Sequence, residues 1–184
     1  VENYFARVNT ALTKGKADVK VAMIHPVESA WLAYGPNDLC SDEMTKLNNN
    51  FLNITDWLLF GQIDFDYISE SLLPTQVKEG GKSLKVGEME YDAVILPAMK
   101  TIRKSTIDIL KAFIEKGGKV IIAGDDPIYI DGEGKGGIEE ITKGAVKVDF
   151  NSIDILNALK DERDIEVRKA DGVMADYLIY NMRK

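Results

Sequence analysis

One cysteine and one histidine in 184 residues exclude several kinds of chemistry. A single thiol rules out an internal disulfide and any cysteine-rich metal site. A single imidazole, His25, rules out the usual histidine-based zinc clusters and leaves one candidate base for any nucleophile. No run of about 18 apolar residues occurs, so no membrane-spanning helix is expected. No Lys/Arg cluster offsets the net charge of −7, and an acidic surface repels nucleic-acid phosphates and anionic lipid alike. The glycine-rich stretch at 131–137 is not followed by Gly-Lys-Ser/Thr and does not directly follow a strand, so it is no phosphate loop. No cofactor is expected. Internal repeats and low-complexity tracts are also missing.

What remains is an ordinary globular composition, 45% hydrophobic and 29% charged, in a chain long enough for one domain with a real core. The most informative stretch is 91–126, YDAVILPAMKTIRKSTIDILKAFIEKGGKVIIAGDD. Ala93, Val94, Ile95 and Leu96 form an apolar run ended by Pro97, which suits a strand buried on both faces. Ser105 offers an N-cap, with Asp108 three residues on, and Ile107, Leu110, Phe113 and Ile114 follow at helical spacing. Gly117 and Gly118 stop that helix, and Val120 to Ala123 is a second apolar strand. Two buried strands joined by one helix are expected to be parallel neighbours, with Ile95 and Ile121 both in the core.

The rest of the chain extends this pattern. Residues 2–14 read as a helix with Phe5, Val8 and Leu12 on one face. The chain thus opens within a helix, as a piece of a longer protein would. Residues 18–24 read as a strand, and 25–40, HPVESAWLAYGPNDLC, as a long loop past its carboxyl end, the edge where open α/β sheets bind ligands. Ser41 then caps a long helix whose stripe of Met44, Leu47, Phe51, Ile54 and Leu58 reads as core. Phe65 to Ile68 reads as a strand, and Gly80-Gly81 marks a hairpin inserted at 76–90. Beyond 131–137, read as a flexible loop, come a short strand at 146–148 and a short helix at 152–159. Residues 165–167 and 177–180 read as an antiparallel pair bracketing Asp171-Gly172. The expected organisation is one α/β domain over 1–160 and a β tail over 161–184, read as the start of a following β domain.

Candidate site residues gather at the sheet edge. His25 is a general base or a ligand, or else a residue bonded to backbone at the strand end, and Glu28 is its nearest carboxylate. Trp31 and Tyr34 are aromatics of the kind enriched at interfaces and able to stack on sugars. Cys40 precedes a helix, which favours its thiolate, but Asp42 and Glu43 oppose that and a small-hydrophobe role fits better. Asp125 and Asp126 follow the strand ending at Ala123, and the sequence reads them as turn residues ahead of Pro127 rather than as metal ligands.

Three segments together, VAMIHPVESAWLAYGP, YDAVILP and IRKSTIDILKAFIEKGGKVII, resemble the glutamine-amidotransferase-like domain attached to large glycoside hydrolases. The named relatives are the trimerisation domain of family 42 β-galactosidases and domains of α-L-rhamnosidase-like enzymes. The resemblance implies a flavodoxin-like, class I amidotransferase-like three-layer sandwich with a mostly parallel central sheet. It places the family's nucleophilic cysteine at about Gly124 or Asp125, where this chain has none, and its histidine late in the chain, where this chain has none either. The implied function is therefore non-catalytic: packing between domains or subunits of a carbohydrate-active hydrolase. The implied partners are the other domains of that hydrolase, a second copy of the chain, and carbohydrate. Two other readings stand beside it, a small-ligand or sugar-sensing domain and a stand-alone hydrolase using Cys40 or His25.

Overall fold

The computed structural model describes residues 1–78, 80–134 and 138–184, and the backbone alone over 37–41. The side chains of Cys40 and Ser41, and residues 135–137 of the glycine-rich stretch, lie outside the described residues. In chain order the elements are α1 (Glu2–Thr13), β1 (Val21–Ile24), α2 (Val27–Ala33), α3 (Asn37–Phe60), β2 (Phe65–Ile68), α4 (Leu73–Gln76), β3 (Val77–Lys78), β4 (Leu84–Val86), β5 (Met89–Tyr91), β6 (Ala93–Leu96), β7 (Thr101–Ile102), α5 (Lys104–Glu115), β8 (Lys119–Ala123), β9 (Tyr129–Ile130), α6 (Glu139–Thr142), β10 (Val146–Val148) and α7 (Ser152–Ala158).

Five strands form one parallel sheet in the order β10-β8-β6-β1-β2. Ile95 of β6 pairs with Ile121 of β8 in parallel register, and both are fully buried, as the sequence leads one to expect. Strands β1 and β6 are buried at every position because helices cover both faces. Alternate residues divide between the two sides. Val21, Met23, Ala93, Ile95, Ile121 and Ala123 pack with Ile54 and Leu58 of α3 and Ile155 of α7. Ala22, Ile24, Val94, Leu96 and Val120 pack with Ile107, Leu110 and Phe113 of α5.

Several local expectations are corrected. The 25–40 segment is not a loop: α2 occupies 27–33, and α3 starts at Asn37 after Pro36 rather than at a Ser41 cap. Helix α5 begins at Lys104 with Arg103 in the cap position, so Ser105 lies inside it. The 76–90 insertion is a three-stranded antiparallel meander, β3-β4-β5, because a second turn at Gly87 brings Met89–Tyr91 back against β4. At 131–137, Asp131 (φ 51) and Gly132 (φ 76) form a tight two-residue hairpin turn of the kind that needs positive φ at both centres, closed by paired backbone bonds between Ile130 and Glu133.

The tail also departs from expectation. Among the described residues, 165–167 and 177–180 form no strand pair. The turn at Asp171-Gly172 is present, but its legs meet only in an isolated Arg168–Met174 bridge. The segment is held by the rest of the chain instead. The Gln62 side chain, buried and at φ 57, donates from Nε2 to the carbonyls of Val167 (3.1 Å) and Ala175 (3.0 Å) and accepts from Val167 N (2.7 Å). Residues 182–184 pair antiparallel with 16–18, and the Arg183 guanidinium donates to the carbonyls of Thr13, Lys14 and Gly15 at the end of α1.

Candidate functional site

Numbered by their order in the chain, the five parallel strands lie in the spatial order 2-1-3-4-5. The order reverses between β1 and β6, and open sheets bind ligands in the crevice beyond the carboxyl ends at such a point. Here α2 fills that crevice. The Ser29 hydroxyl, fully buried, accepts from the backbone N–H groups of Lys100 (2.9 Å) and Thr101 (3.1 Å) and donates to the Thr101 carbonyl (3.3 Å). The amides of Lys100 and Thr101, at the start of β7, are thereby committed to the protein's own side chain.

Beside this plug lies a group of charges. Arg103 donates to Glu28 Oε1 from Nε (2.8 Å) and Nη2 (2.7 Å). The Arg103 backbone N–H donates to Glu70 Oε2 (2.8 Å). Glu70 is buried, and its Oε1 has no protein partner. Burial raises the Glu70 carboxyl above its usual range, and the bond from the Arg103 amide offsets only part of that. Glu28, Trp31, Leu32, Thr101, Arg103 and Asp131 line a pocket of about 330 Å³ between α2, β7 and the Asp131/Gly132 turn.

The structure separates the other residues singled out in the sequence. His25 is exposed, and its ring lies 4.9 Å from Phe51 and 6.0 Å from Tyr67, centre to centre; its backbone N–H bonds the Ile68 carbonyl. Glu28, expected as its partner, is engaged by Arg103. Trp31 is 64% exposed and Tyr34 79%. Asp125 and Asp126 line a second pocket of about 260 Å³ with Asn50, Met99 and Lys100, where Asp126 pairs with Lys147 (2.8 Å) and Glu43 pairs with Lys100. Among the described residues no group of three or more His, Cys, Asp or Glu side chains is placed to hold a metal ion. Gly124, at φ 92, makes the turn after β8, and a Cβ there would sit 3.1 Å from Phe150 Cβ. Sequence reasoning missed Ser29, Glu70, Arg103 and Asp131. Only the Asp131-Gly132 dipeptide carried a signal, that of a hairpin turn.

No family model and no curated protein matches the chain. Solved structures do match in part. The apo exo-carrageenase GH42 from Bacteroides ovatus aligns with a TM-score of 0.56 at 15% identity, over 90% of this chain and 20% of that one. A β-galactosidase from Rahnella sp. R3 aligns over 73% of this chain and 18% of its own, with a TM-score of 0.43 and 20% identity. A rhamnosidase from Novosphingobium sp. PP1Y aligns over 86% and 15%, with a TM-score of 0.49 and 17% identity. At the identity of the exo-carrageenase the likeness is one of fold. The chain spans about a fifth of that enzyme's length, an extent compatible with one domain of a larger glycoside hydrolase. Among the described residues no helix is long and apolar enough to cross a membrane.

Proposed function

We propose that this chain is a non-catalytic accessory domain of a carbohydrate-active glycoside hydrolase, serving in interdomain or subunit packing. Its 2-1-3-4-5 parallel sheet is the order of flavodoxin-like folds, to which class I amidotransferase-like domains are related by the resemblance above. The observation that carries the reading is the Ser29 plug. Acyl transfer needs a nucleophile at a strand end, a base within hydrogen-bond reach, and N–H donors aimed at the developing oxyanion. Gly124, Asp125 and Asp126 occupy the turn after β8, so that turn presents no thiol or hydroxyl. His25 stacks against Phe51, and the Lys100 and Thr101 amides already donate to Ser29. The exposed Tyr4, Phe5 and Leu12 of α1, a helix with no buried residue, supply the apolar surface that a packing role requires.

The test is activity. The purified protein, incubated with glutamine, an aryl ester and aryl glycosides, is expected to give no turnover above background. Glutaminase or esterase activity that disappears in His25→Ala or Cys40→Ala would overturn the proposal.

A further inference from the structure

We propose that the pocket between α2, β7 and the Asp131/Gly132 turn is a binding site for one neutral pyranose. At about 330 Å³ it falls at the small end of ligand sites, which run from roughly 300 to 1,000 Å³. One wall is apolar, formed by the Trp31 indole, Leu32 and Ile102. Trp31 leaves most of its ring bare to solvent on a helix whose Ser29 and Ala33 are buried. The rim is polar, formed by Glu28, Arg103 and Asp131. A pyranose has one C–H-rich face and a girdle of hydroxyls that both donate and accept. A flat aromatic platform takes the first, and planar carboxylate and guanidinium groups take the second.

The polar rim is pre-set. Arg103 is held by Glu28 through both Nε and Nη2. Asp131 is held by its backbone bond to the Ile102 carbonyl (3.0 Å) and by the Lys104 amide, which donates to its Oδ1 (3.2 Å). The adjoining Gly132 N–H donates to Thr101 Oγ1 (2.9 Å). Groups fixed before binding cost less to order when a ligand arrives. Charge selects the class of ligand. Two carboxylates and one guanidinium line the pocket, and Glu28 already neutralises the guanidinium, so a sulfate or phosphate ester would have to displace Glu28. A cation finds one aromatic wall rather than a cage, with Leu32 and Ile102 completing the apolar side. The site does not depend on the packing role proposed above.

The experiment is a titration of the ¹⁵N-labelled protein with methyl β-D-galactopyranoside, methyl α-D-glucopyranoside and L-rhamnose, followed by two-dimensional NMR. The protein has two tryptophans, so the Trp57 indole N–H is an internal control for that of Trp31. At least one sugar is expected to shift the Trp31 indole and the Asp131 and Gly132 amides saturably, with a dissociation constant of about 1–10 mM for a ligand of this size. The Trp57 indole stays in place. Trp31→Ala is expected to weaken binding by about tenfold or more, and Trp31→Phe to retain most of it. Asp131→Asn keeps an acceptor and tolerates positive φ, so affinity changes by about threefold or less. The proposal is overturned if no sugar gives a saturable shift, or if Trp31→Ala binds as well as the parent. It is also overturned if tetramethylammonium or sulfate binds more tightly than every sugar. Absence of sugar binding leaves the non-catalytic reading standing, and glutaminase turnover would overturn that reading without touching this one.

Discussion

Replacing Gln62 with alanine should loosen the tail while leaving the sheet intact. The Gln62 side chain is 2% exposed and makes three hydrogen bonds to the backbone of 167 and 175. At about 1 kcal/mol net for each neutral bond, and with Val167 partly open to water that can take over, the loss is about 2–3 kcal/mol. Backbone strain supplies an internal control. Gln62 sits at φ 57, a region that costs a non-glycine residue roughly 1–2 kcal/mol. Gln62→Gly loses the same bonds but relieves that strain, so it should be about 1 kcal/mol more stable than Gln62→Ala. Native-state hydrogen exchange reads the effect locally. The Lys169 N–H bonds to the Val173 carbonyl and the Ala175 N–H to the Val167 carbonyl. In Gln62→Ala both should exchange roughly a hundredfold faster, since 1.4 kcal/mol is a factor of ten. The amides of β6 and β8 should not change. Exchange at Lys169 and Ala175 equal to that of the parent, with urea stability within about 0.5 kcal/mol, would refute the reasoning.

Two further outcomes follow from the sheet edge. Burial raises the Glu70 carboxyl, so between its unfolded value near 4.5 and its higher folded value the native state binds more protons than the unfolded state, and stability falls as pH rises through the folded value. Glu70→Gln should therefore unfold at higher urea than the parent at pH 8, with the advantage shrinking as pH falls through the raised folded value and levelling off by about 4.5; an advantage independent of pH would count against this. Ser29→Ala removes the acceptor for two amides, one of them in buried Thr101, and should cost about 2–3 kcal/mol in urea unfolding. A cost below about 0.5 kcal/mol would mean that water replaces the hydroxyl and that the crevice is open.

The parts of the fold that could be read from the sequence are those in which burial imposes a pattern. Ala93 to Leu96 and Val120 to Ala123 are apolar at every position because helices cover both faces of the sheet, and no other environment asks for that. Helix α3 carries Ile54 and Leu58 at helical spacing over six turns or so, ample length for the period to show. Helix α2 has seven residues, under two turns, and lies between His25-Pro26 and Gly35-Pro36, so its period was hidden by turn residues on both sides. The site was harder still. Ser29 meets Thr101 across 72 residues, and Gln62 meets Ala175 across 113. Such side-chain to backbone bonds follow from tertiary placement and leave no periodic trace. Trp31 and Glu28 were singled out by residue type alone. That they share one pocket, with His25 elsewhere, depends on which way α2 is turned.

The pairing of residues 16–18 with 182–184 also determines how the domain responds to tension. Lys16 and Lys184 exchange both backbone bonds, at 2.8 and 2.9 Å, and Asp18 N bonds the Met182 carbonyl at 2.9 Å. The strands are antiparallel and the two outermost partners face each other. A pull applied through α1 and through Lys184 therefore enters at one open end and peels these bonds in succession, rather than shearing them all at once. The Arg183 grip on the carbonyls of Thr13, Lys14 and Gly15 lies on the pulled side of these bonds and is loaded with the first of them. The corner acts as a mechanical fuse: it yields at low force and lengthens the chain while the five-stranded sheet carries no load.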